Sequence, residues 1–173
     1  MKIAISGKSG CGNSTVSRMV ADRLGLRLVN YTFRNLAKEH DMTFEELQKA
    51  AETDFKWDRY LDKKQLDLAR EGDCVLGSRL AVWLLEEADL SVYLTASLDV
   101  RARRIREREG GSFEEVLEET TARDQRDRER YLKLYGIDNN NYDFVDLVID
   151  TENMEPHEVA SKIVAAARDL NRH

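Results

Sequence analysis

Short apolar runs alternate along the chain with longer segments in which apolar residues recur every three or four positions. The short runs, which are typical of buried strands, lie at 1–6, 26–29, 74–76, 90–94 and 147–149. The longer periodic segments predict helices at 14–24, 80–85, 98–108, 113–134 and 155–170, with a helical region over 33–72 that breaks near 41–43 and 53–54. Strands and helices in this order predict an α/β fold with a parallel sheet covered on both faces.

A glycine-rich segment joins the first predicted strand to the first predicted helix. Its residues are Gly7, Lys8, Ser9, Gly10, Cys11, Gly12, Asn13, Ser14 and Thr15. Glycines let successive backbone N–H groups turn inward onto phosphate oxygens, and the helix that follows adds the positive end of its dipole. Ser14 falls at the hydroxyl position that holds Mg²⁺ in this motif. The context predicts a phosphate-binding loop, with a ligand-free turn as the alternative.

One position of this segment departs from the phosphate-loop pattern G-x-x-x-x-G-K-[ST]. Asn13 stands where the pattern has a lysine, whose charge normally offsets that of the β- and γ-phosphates. Deviant loops of the partition-ATPase type carry an additional lysine at the position of Lys8. We therefore expect Lys8 to supply the missing charge, in cis or across a dimer. A loop that binds nucleotide but transfers phosphate slowly is the alternative.

Nine arginines lie between Arg101 and Arg130. On a helix, four side chains of this region share one face, which suits a phosphorylated ligand that also offers a hydrogen-bond donor: Arg123, Arg126, Asp127 and Arg130. The alternative is an intrahelical salt-bridge ladder with Asp124 and Glu129. Five more arginines precede Gly110-Gly111 and predict a lid over phosphates: Arg101, Arg103, Arg104, Arg106 and Arg108.

Three further residues stand outside the arginine region. Arg34 follows the second predicted strand, and Arg79 follows the third at its carboxyl end, where ligands bind in parallel sheets. Asp58 lies on a helical face from which it could reach a base or ribose. For the two arginines the alternative is an ordinary surface side chain.

Composition narrows the class of protein. The 173 residues suffice for one domain, and 27 basic against 33 acidic residues give a net charge of −6, which excludes a general nucleic-acid coat. The sequence shows neither an apolar run of membrane-spanning length nor a signal peptide, and two cysteines are too few for a disulfide framework. We expect a soluble, cytoplasmic monomer without nucleic-acid or membrane partners.

The motifs together resemble the cytidylate kinases, in the short form best known from archaea, over nearly the whole chain. The matching segments are 7–15, 33–34, 58–62, 78–81 with Trp83, 100–110, 123–131, 135–138 and 146–151. The resemblance implies the P-loop nucleoside monophosphate kinase fold, with three layers and a five-stranded parallel sheet. It implies a core of 1–29, 73–100 and 131–173, a helical monophosphate-binding insert of about 30–72 and a short lid of about 101–130.

The resemblance also implies the reaction, a transfer of phosphate from ATP to CMP or dCMP with Mg²⁺. It assigns the loop 7–15 to ATP and four arginines to the monophosphate: Arg34, Arg79, Arg123 and Arg130. Asp127 falls at a position that helps to recognise cytidine, and Arg104 and Arg108 fall in the lid. We expect Lys8, Arg104, Arg108 and Arg123 to act on the transferring group.

Gly77 departs from the family, which often has glutamate there, and Ser78 replaces a glycine. A catalytically impaired nucleotide-binding protein and a kinase for another monophosphate such as UMP are the alternatives.

Overall fold

The computed structural model describes residues 1–172 and contains one sheet of five parallel strands. The strands are β1 (Lys2–Gly7), β2 (Arg27–Val29), β3 (Cys74–Gly77), β4 (Leu90–Thr95) and β5 (Leu147–Asp150). Their order across the sheet is β2-β3-β1-β4-β5, and every neighbouring pair is parallel. The predicted α/β class and the parallel sheet are confirmed.

Eight helices connect and cover the strands. They are α1 (Asn13–Leu24), α2 (Phe33–Glu39), α3 (Phe44–Thr53), α4 (Lys56–Arg70), α5 (Ala81–Leu84), α6 (Leu98–Glu109), α7 (Phe113–Tyr135) and α8 (Pro156–Leu170). The expected breaks in the region 33–72 are present, and a capping box between Thr43 and Glu46 starts α3. Ser97 and Ser112 cap α6 and α7, each by accepting a backbone N–H of the first turn.

The strand residues divide the core between the two faces of the sheet. Ile3 and Ile5 of β1 pack with α1 and α8, whereas Ala4, which lies between them, packs on the opposite face with Leu76 and Tyr93. This alternation is expected for a strand that is buried on both faces. Helix α8 contributes a stripe of buried side chains to the first of these layers, as its periodicity predicted. None of the helices within residues 1–172 has the length and apolarity needed to cross a membrane.

Helices α2–α4 lie in the connection from β2 to β3 and have a small core of their own around Leu47, which is fully buried. Strand β1 occupies the centre of the sheet, with β3 on one side and β4 on the other. The segments that leave the carboxyl ends of β1 and β3 therefore lie side by side, and this edge is where α/β sheets bind their ligands. The division into core, insert and lid at the limits given above stays a prediction.

Candidate active site

The glycine-rich segment forms an open loop between β1 and α1. Gly10 and Gly12 both have left-handed backbone conformations, with φ of +84° and +82°. Gly12 is the residue before α1, and within residues 1–172 no side chain caps the start of that helix. The loop borders a cavity of about 270 Å³ that the predicted residues line, with the exception of Cys11, which is buried. Backbone N–H groups at an uncapped helix start suit phosphate oxygens.

The side chain of Arg101, on α6, contacts this loop. Its guanidinium donates to the carbonyl of Ser9 at 3.3 Å and forms a two-pronged pair with Asp124 at 3.1 and 2.7 Å. A Cβ atom on Gly10 would lie 2.7 Å from the carbonyl oxygen of Arg101, so only glycine fits there. The sequence predicted an exposed place for Arg101 among the lid arginines, but the structure buries it, and the lid itself stays a prediction. Burial against the loop and charge compensation by Asp124 explain the difference.

Two residues of the loop bear on its charge. Lys8 lines the loop cavity, and its ammonium group donates to the side-chain oxygen of Asn140 at 2.7 Å. The side-chain amide of Asn13 donates to the carbonyl of Ile5 at 3.1 Å. Asn13 therefore presents no charge to the cavity, and the role of Lys8 stays a prediction.

The predicted arginine face of α7 borders a second cavity of about 600 Å³. Its lining includes the four residues predicted to share one face, Arg123, Arg126, Asp127 and Arg130, together with Phe33, Gln48, Ala51 and Glu52 from α2 and α3. The alternative ladder is absent among the described residues, because Asp124 pairs with Arg101 and Glu129 accepts a hydrogen bond from Gln125. Arg126 is exposed and pairs with Glu119.

Arginine–carboxylate pairs connect this cavity to neighbouring elements. Arg79, which follows β3, forms an ion pair with Asp127, and Arg130 pairs with Asp58 of α4 at 3.3 Å. Asp58 is 8% exposed, and its second oxygen has no hydrogen-bond partner within residues 1–172. Burial raises the pKa of Asp58 above its usual value, against the opposing effect of Arg130. The structure thus brings Arg79, Arg130, Asp58 and Asp127 together, as predicted.

A second carboxyl of α4 lies one helical turn beyond Asp58. Asp62 accepts a hydrogen bond from the hydroxyl of Tyr135 at 2.7 Å. Burial raises the pKa of Asp62 to about 6, although the Tyr135 hydrogen bond opposes this shift. Helix α4 therefore contacts α7 through two carboxyl groups that are costly to ionise.

Arg34 stands apart from the other predicted residues. It is exposed, and its guanidinium lies 4.2 Å from the centre of the Phe44 ring, so α2 directs it toward α3. It lines neither the loop cavity nor the α7 cavity. A contact between Arg34 and a monophosphate stays a prediction.

The two lid arginines occupy different places. Arg108 is exposed at the end of α6 and lines the loop cavity. Arg104 instead donates to the carbonyl of Gly10 at 3.3 Å and to both oxygens of Thr151, at 3.0 Å for the hydroxyl and 2.6 Å for the carbonyl. It therefore connects α6 to the phosphate loop and to the end of β5.

A third cavity, of about 600 Å³, is lined in part by Arg104. The sequence patterns did not predict it. It is lined by Cys11, Gly12 and Val16, by residues of α6, and by the segment 151–156 between β5 and α8. This segment follows the carboxyl end of the last strand, which is the signal that would have marked it. The cavity adjoins the start of α1, so a group bound there can be continuous with phosphates in the loop.

Comparison with known proteins shows which protein family the sequence matches. The model of the cytidylate kinase-like family matches residues 2–153. The chain is 49% identical to cytidylate kinase 2 of Borreliella burgdorferi over 92% of this chain and 91% of that protein. It is 41% identical to the cytidylate kinase of Pyrococcus horikoshii over 98% of this chain and 89% of that protein.

Solved structures of other kinases share the fold. Shikimate kinase from Bacteroides thetaiotaomicron covers 100% of this chain and 99% of its own at a TM-score of 0.63 and 15% identity. Deoxyadenosine kinase from M. mycoides covers 97% of this chain and 100% of its own at a TM-score of 0.58 and 23% identity. These likenesses confirm the P-loop kinase fold. The family match and the related sequences show that the chain belongs to the cytidylate kinase-like family and is, as the sequence predicted, a nucleoside monophosphate kinase.

Proposed function

We propose that this kinase transfers the γ-phosphoryl group of ATP to CMP or dCMP, giving ADP and CDP or dCDP. The observation that carries the proposal is the position of Arg123. This side chain lines both the loop cavity and the α7 cavity, and it donates to the hydroxyl of Ser9 at 3.3 Å. A phosphate donor in the first cavity and a phosphate acceptor in the second would meet at one guanidinium.

The donor side suits ATP. The uncapped start of α1 and the glycine-rich loop offer N–H groups to the phosphates, and the cavity lined by 151–156 has room for the base. Ser14 is exposed in the first turn of α1 and lines the loop cavity, so its hydroxyl fits a Mg²⁺ ion bound with the phosphates. When bound, that ion neutralises charge between the β- and γ-phosphates.

The acceptor side suits a cytidine nucleotide. Arg79, Arg123 and Arg130 can hold the monophosphate with planar, two-pronged contacts. The unpartnered oxygen of buried Asp58 is an acceptor without a donor among the residues that the structure describes. The exocyclic amine of cytosine would supply that donor, whereas the corresponding oxygen of uracil would face a carboxylate. This difference favours CMP over UMP.

Catalysis then needs no protein nucleophile, because an oxygen of the monophosphate attacks the γ-phosphorus of ATP directly. Arg123 and Arg108 would stabilise the charge of the transferring group, and Lys8 would replace the charge that Asn13 lacks. Closure of the helical insert over the monophosphate would exclude water, which otherwise hydrolyses ATP.

A substrate panel tests the proposal. We expect ADP release to depend on an added monophosphate, with CMP and dCMP preferred over UMP and AMP, and little release without an acceptor. Asp58→Asn should lower the preference for CMP over UMP by about tenfold, because an amide can donate to uracil. Asp54→Asn, an exposed site just before α4, is the matched control. A preference for UMP or AMP in the wild-type enzyme, or binding of CMP without turnover, would contradict the assignment.

A further inference from the structure

The side chain at the motif's lysine position is hydrogen-bonded to the backbone of β1 and to the segment that follows β3. Asn13 is the first residue of α1, and its amide nitrogen donates to the carbonyl of Ile5 at 3.1 Å and, in a longer contact, to that of Ser78 at 3.4 Å. Its amide oxygen accepts a hydrogen bond from the hydroxyl of Ser17 at 2.9 Å. Both donor and acceptor ends of this side chain are therefore engaged in contacts within the protein.

Gly77, the other departure from the family, packs against the same group. A Cβ atom on Gly77 would lie 2.2 Å from the hydroxyl oxygen of Ser17, 2.7 Å from its Cβ and 3.0 Å from the amide oxygen of Asn13. No side chain fits at position 77 while Asn13 and Ser17 keep these positions. The two departures are thus one packed unit that joins the start of α1 to the end of β3.

This unit fixes the peptide that precedes Arg79. The carbonyl of Ser78 accepts from the hydroxyl of Ser6 at 2.8 Å as well as from Asn13, and the Ser78 N–H donates to the carbonyl of Ile5 at 3.1 Å. Ser6 is fully buried and also accepts from the backbone of Val82. The chain leaving β3 is therefore held on both sides before it reaches Arg79, whose guanidinium pairs with Asp127.

We propose that Asn13 is a positioning residue for the acceptor, which sets Arg79 relative to the phosphate loop through the Ser78 carbonyl. The role rests on the proposed phosphoryl transfer to a monophosphate. It separates two tasks that a loop lysine would combine, since Asn13 holds the geometry while the charge comes from elsewhere. Asn13 and Arg79 both border the loop cavity, but the lost contact holds the Ser78 peptide, so the effect of losing Asn13 should be larger on the monophosphate than on ATP.

Steady-state kinetics and calorimetry can test this role. Asn13→Ala should raise the KM and the Kd for CMP about tenfold while the KM for ATP changes less than about twofold, because the change removes a hydrogen bond that holds the Ser78 peptide. Asn13→Asp should have a larger effect, because it places a carboxylate against two carbonyl oxygens. Asn171→Ala, an exposed site at the end of α8, is the matched control.

Two further variants make the outcome decisive. Asn13→Lys should lose the same contacts and show no gain in kcat. In the double variant Asn13→Ala with Arg79→Ala, the two losses in CMP affinity should be less than additive, because both act on the same guanidinium. Thermal unfolding of every variant establishes that it is folded, and Gly77→Ala provides a second probe that should show the same selective effect on CMP.

The outcomes distinguish this role from the proposed function. If the wild-type enzyme phosphorylates CMP but Asn13→Ala raises the KM for ATP and CMP equally, or Asn13→Lys increases kcat, the positioning role is wrong and the function stands. If the wild-type enzyme phosphorylates no cytidine monophosphate, the proposed function fails first. Full additivity in the double variant would also overturn the role.

Discussion

The two sides of the proposed active site, for the phosphate donor and for the acceptor, are built from different parts of the protein. On the donor side, the backbone of the loop 7–15 and the start of α1 surround the cavity, and the nearest buried arginine, Arg101, is neutralised by Asp124. On the acceptor side, arginine–carboxylate pairs join α7 to Arg79, which follows β3, and to Asp58 of α4, next to the second cavity. The donor site therefore depends on backbone shape, and the acceptor site depends on charge. Substitutions should affect them in correspondingly different ways.

The largest expected effect is the loss of a charge on the acceptor side. Arg79→Ala should lower kcat/KM for CMP by about 10²–10³-fold, because one charged contact to a transferring or adjacent phosphate has this scale. The KM for ATP should rise much less, although Arg79 also borders the loop cavity. Arg79→Lys is the matched variant, and it should recover only part of the loss because a lysine lacks the planar fork. Equal losses for ATP and CMP would remove the distinction between the two sides.

The second-largest effect should come from a substitution that changes the backbone shape of the loop 7–15 on the donor side. Gly10→Ala places a Cβ atom 2.7 Å from the Arg101 carbonyl and forces the loop to shift, so we expect the KM for ATP to rise by about tenfold or more. Gly12→Ala is the control, since its φ is also positive but its Cβ would meet nothing within 4 Å. Nucleotide titration by calorimetry measures both. Identical losses in the two variants would show that φ alone, rather than the contact with Arg101, decides.

A smaller effect should follow from the one lysine of the loop. Lys8→Ala should lower kcat about tenfold with little change in the KM for CMP, if its ammonium leaves Asn140 to meet the phosphates. Asn140→Ala removes only the partner and should leave kcat unchanged or raise it. Rapid-quench measurement of the transfer step separates this from product release. An unchanged transfer rate in Lys8→Ala would show that the charge comes from the arginines instead.

The smallest effect on activity is expected for Asp62→Asn, which should instead change the free energy of unfolding. Because burial raises the pKa of Asp62 to about 6, the folded protein holds this proton more tightly than the unfolded chain does. The stability that Asp62 contributes is therefore present below about pH 4 and lost as the pH rises to 6. Asp62→Asn should remove this loss and raise the free energy of unfolding at pH 8 by about 2–3 kcal/mol.

Denaturation at pH 4 and pH 8 measures the difference. At pH 4 the Asp62→Asn variant and the wild-type protein should have nearly equal stability. Asp67→Asn on the same helix is the control, since this exposed carboxylate pairs with Lys63 and its pKa is lowered instead. A gain of equal size at both pH values would mean that the introduced amide packs better rather than that a buried charge is avoided.

Local patterns in the sequence were enough to predict most of the fold. The strands and helices follow from periodicity and capping, so α3 begins at its capping box and α8 begins at Pro156, as expected. The face of α7 could be predicted too, because spacing of three and four residues fixes which side chains share a helix face. These features depend on neighbours in sequence, which the sequence displays directly.

Contacts between distant residues explain what could not be predicted. Arg101 looks like its neighbours in α6, and only the packing of the loop against it shows that it is buried. The inward orientation of Asn13 depends on Gly77 and Ser78, more than sixty residues away along the chain. The cavity lined by 151–156 likewise forms from three separate segments. No local pattern contains that information.

The two tryptophans lie in different parts of this enzyme, so their fluorescence can report on each part. Trp57 lies on α4 in the helical insert, within 6 Å of the rings of His40 and Tyr60. Trp83 lies after β3, where its indole N–H donates to the carbonyl of Asn141 and its ring packs on Tyr93 and Phe144. The proposed closure of the insert over the monophosphate would change the surroundings of Trp57. Trp83→Phe would leave the fluorescence of Trp57 to report closure of the insert. Trp57→Phe would leave the fluorescence of Trp83 to report packing of the core.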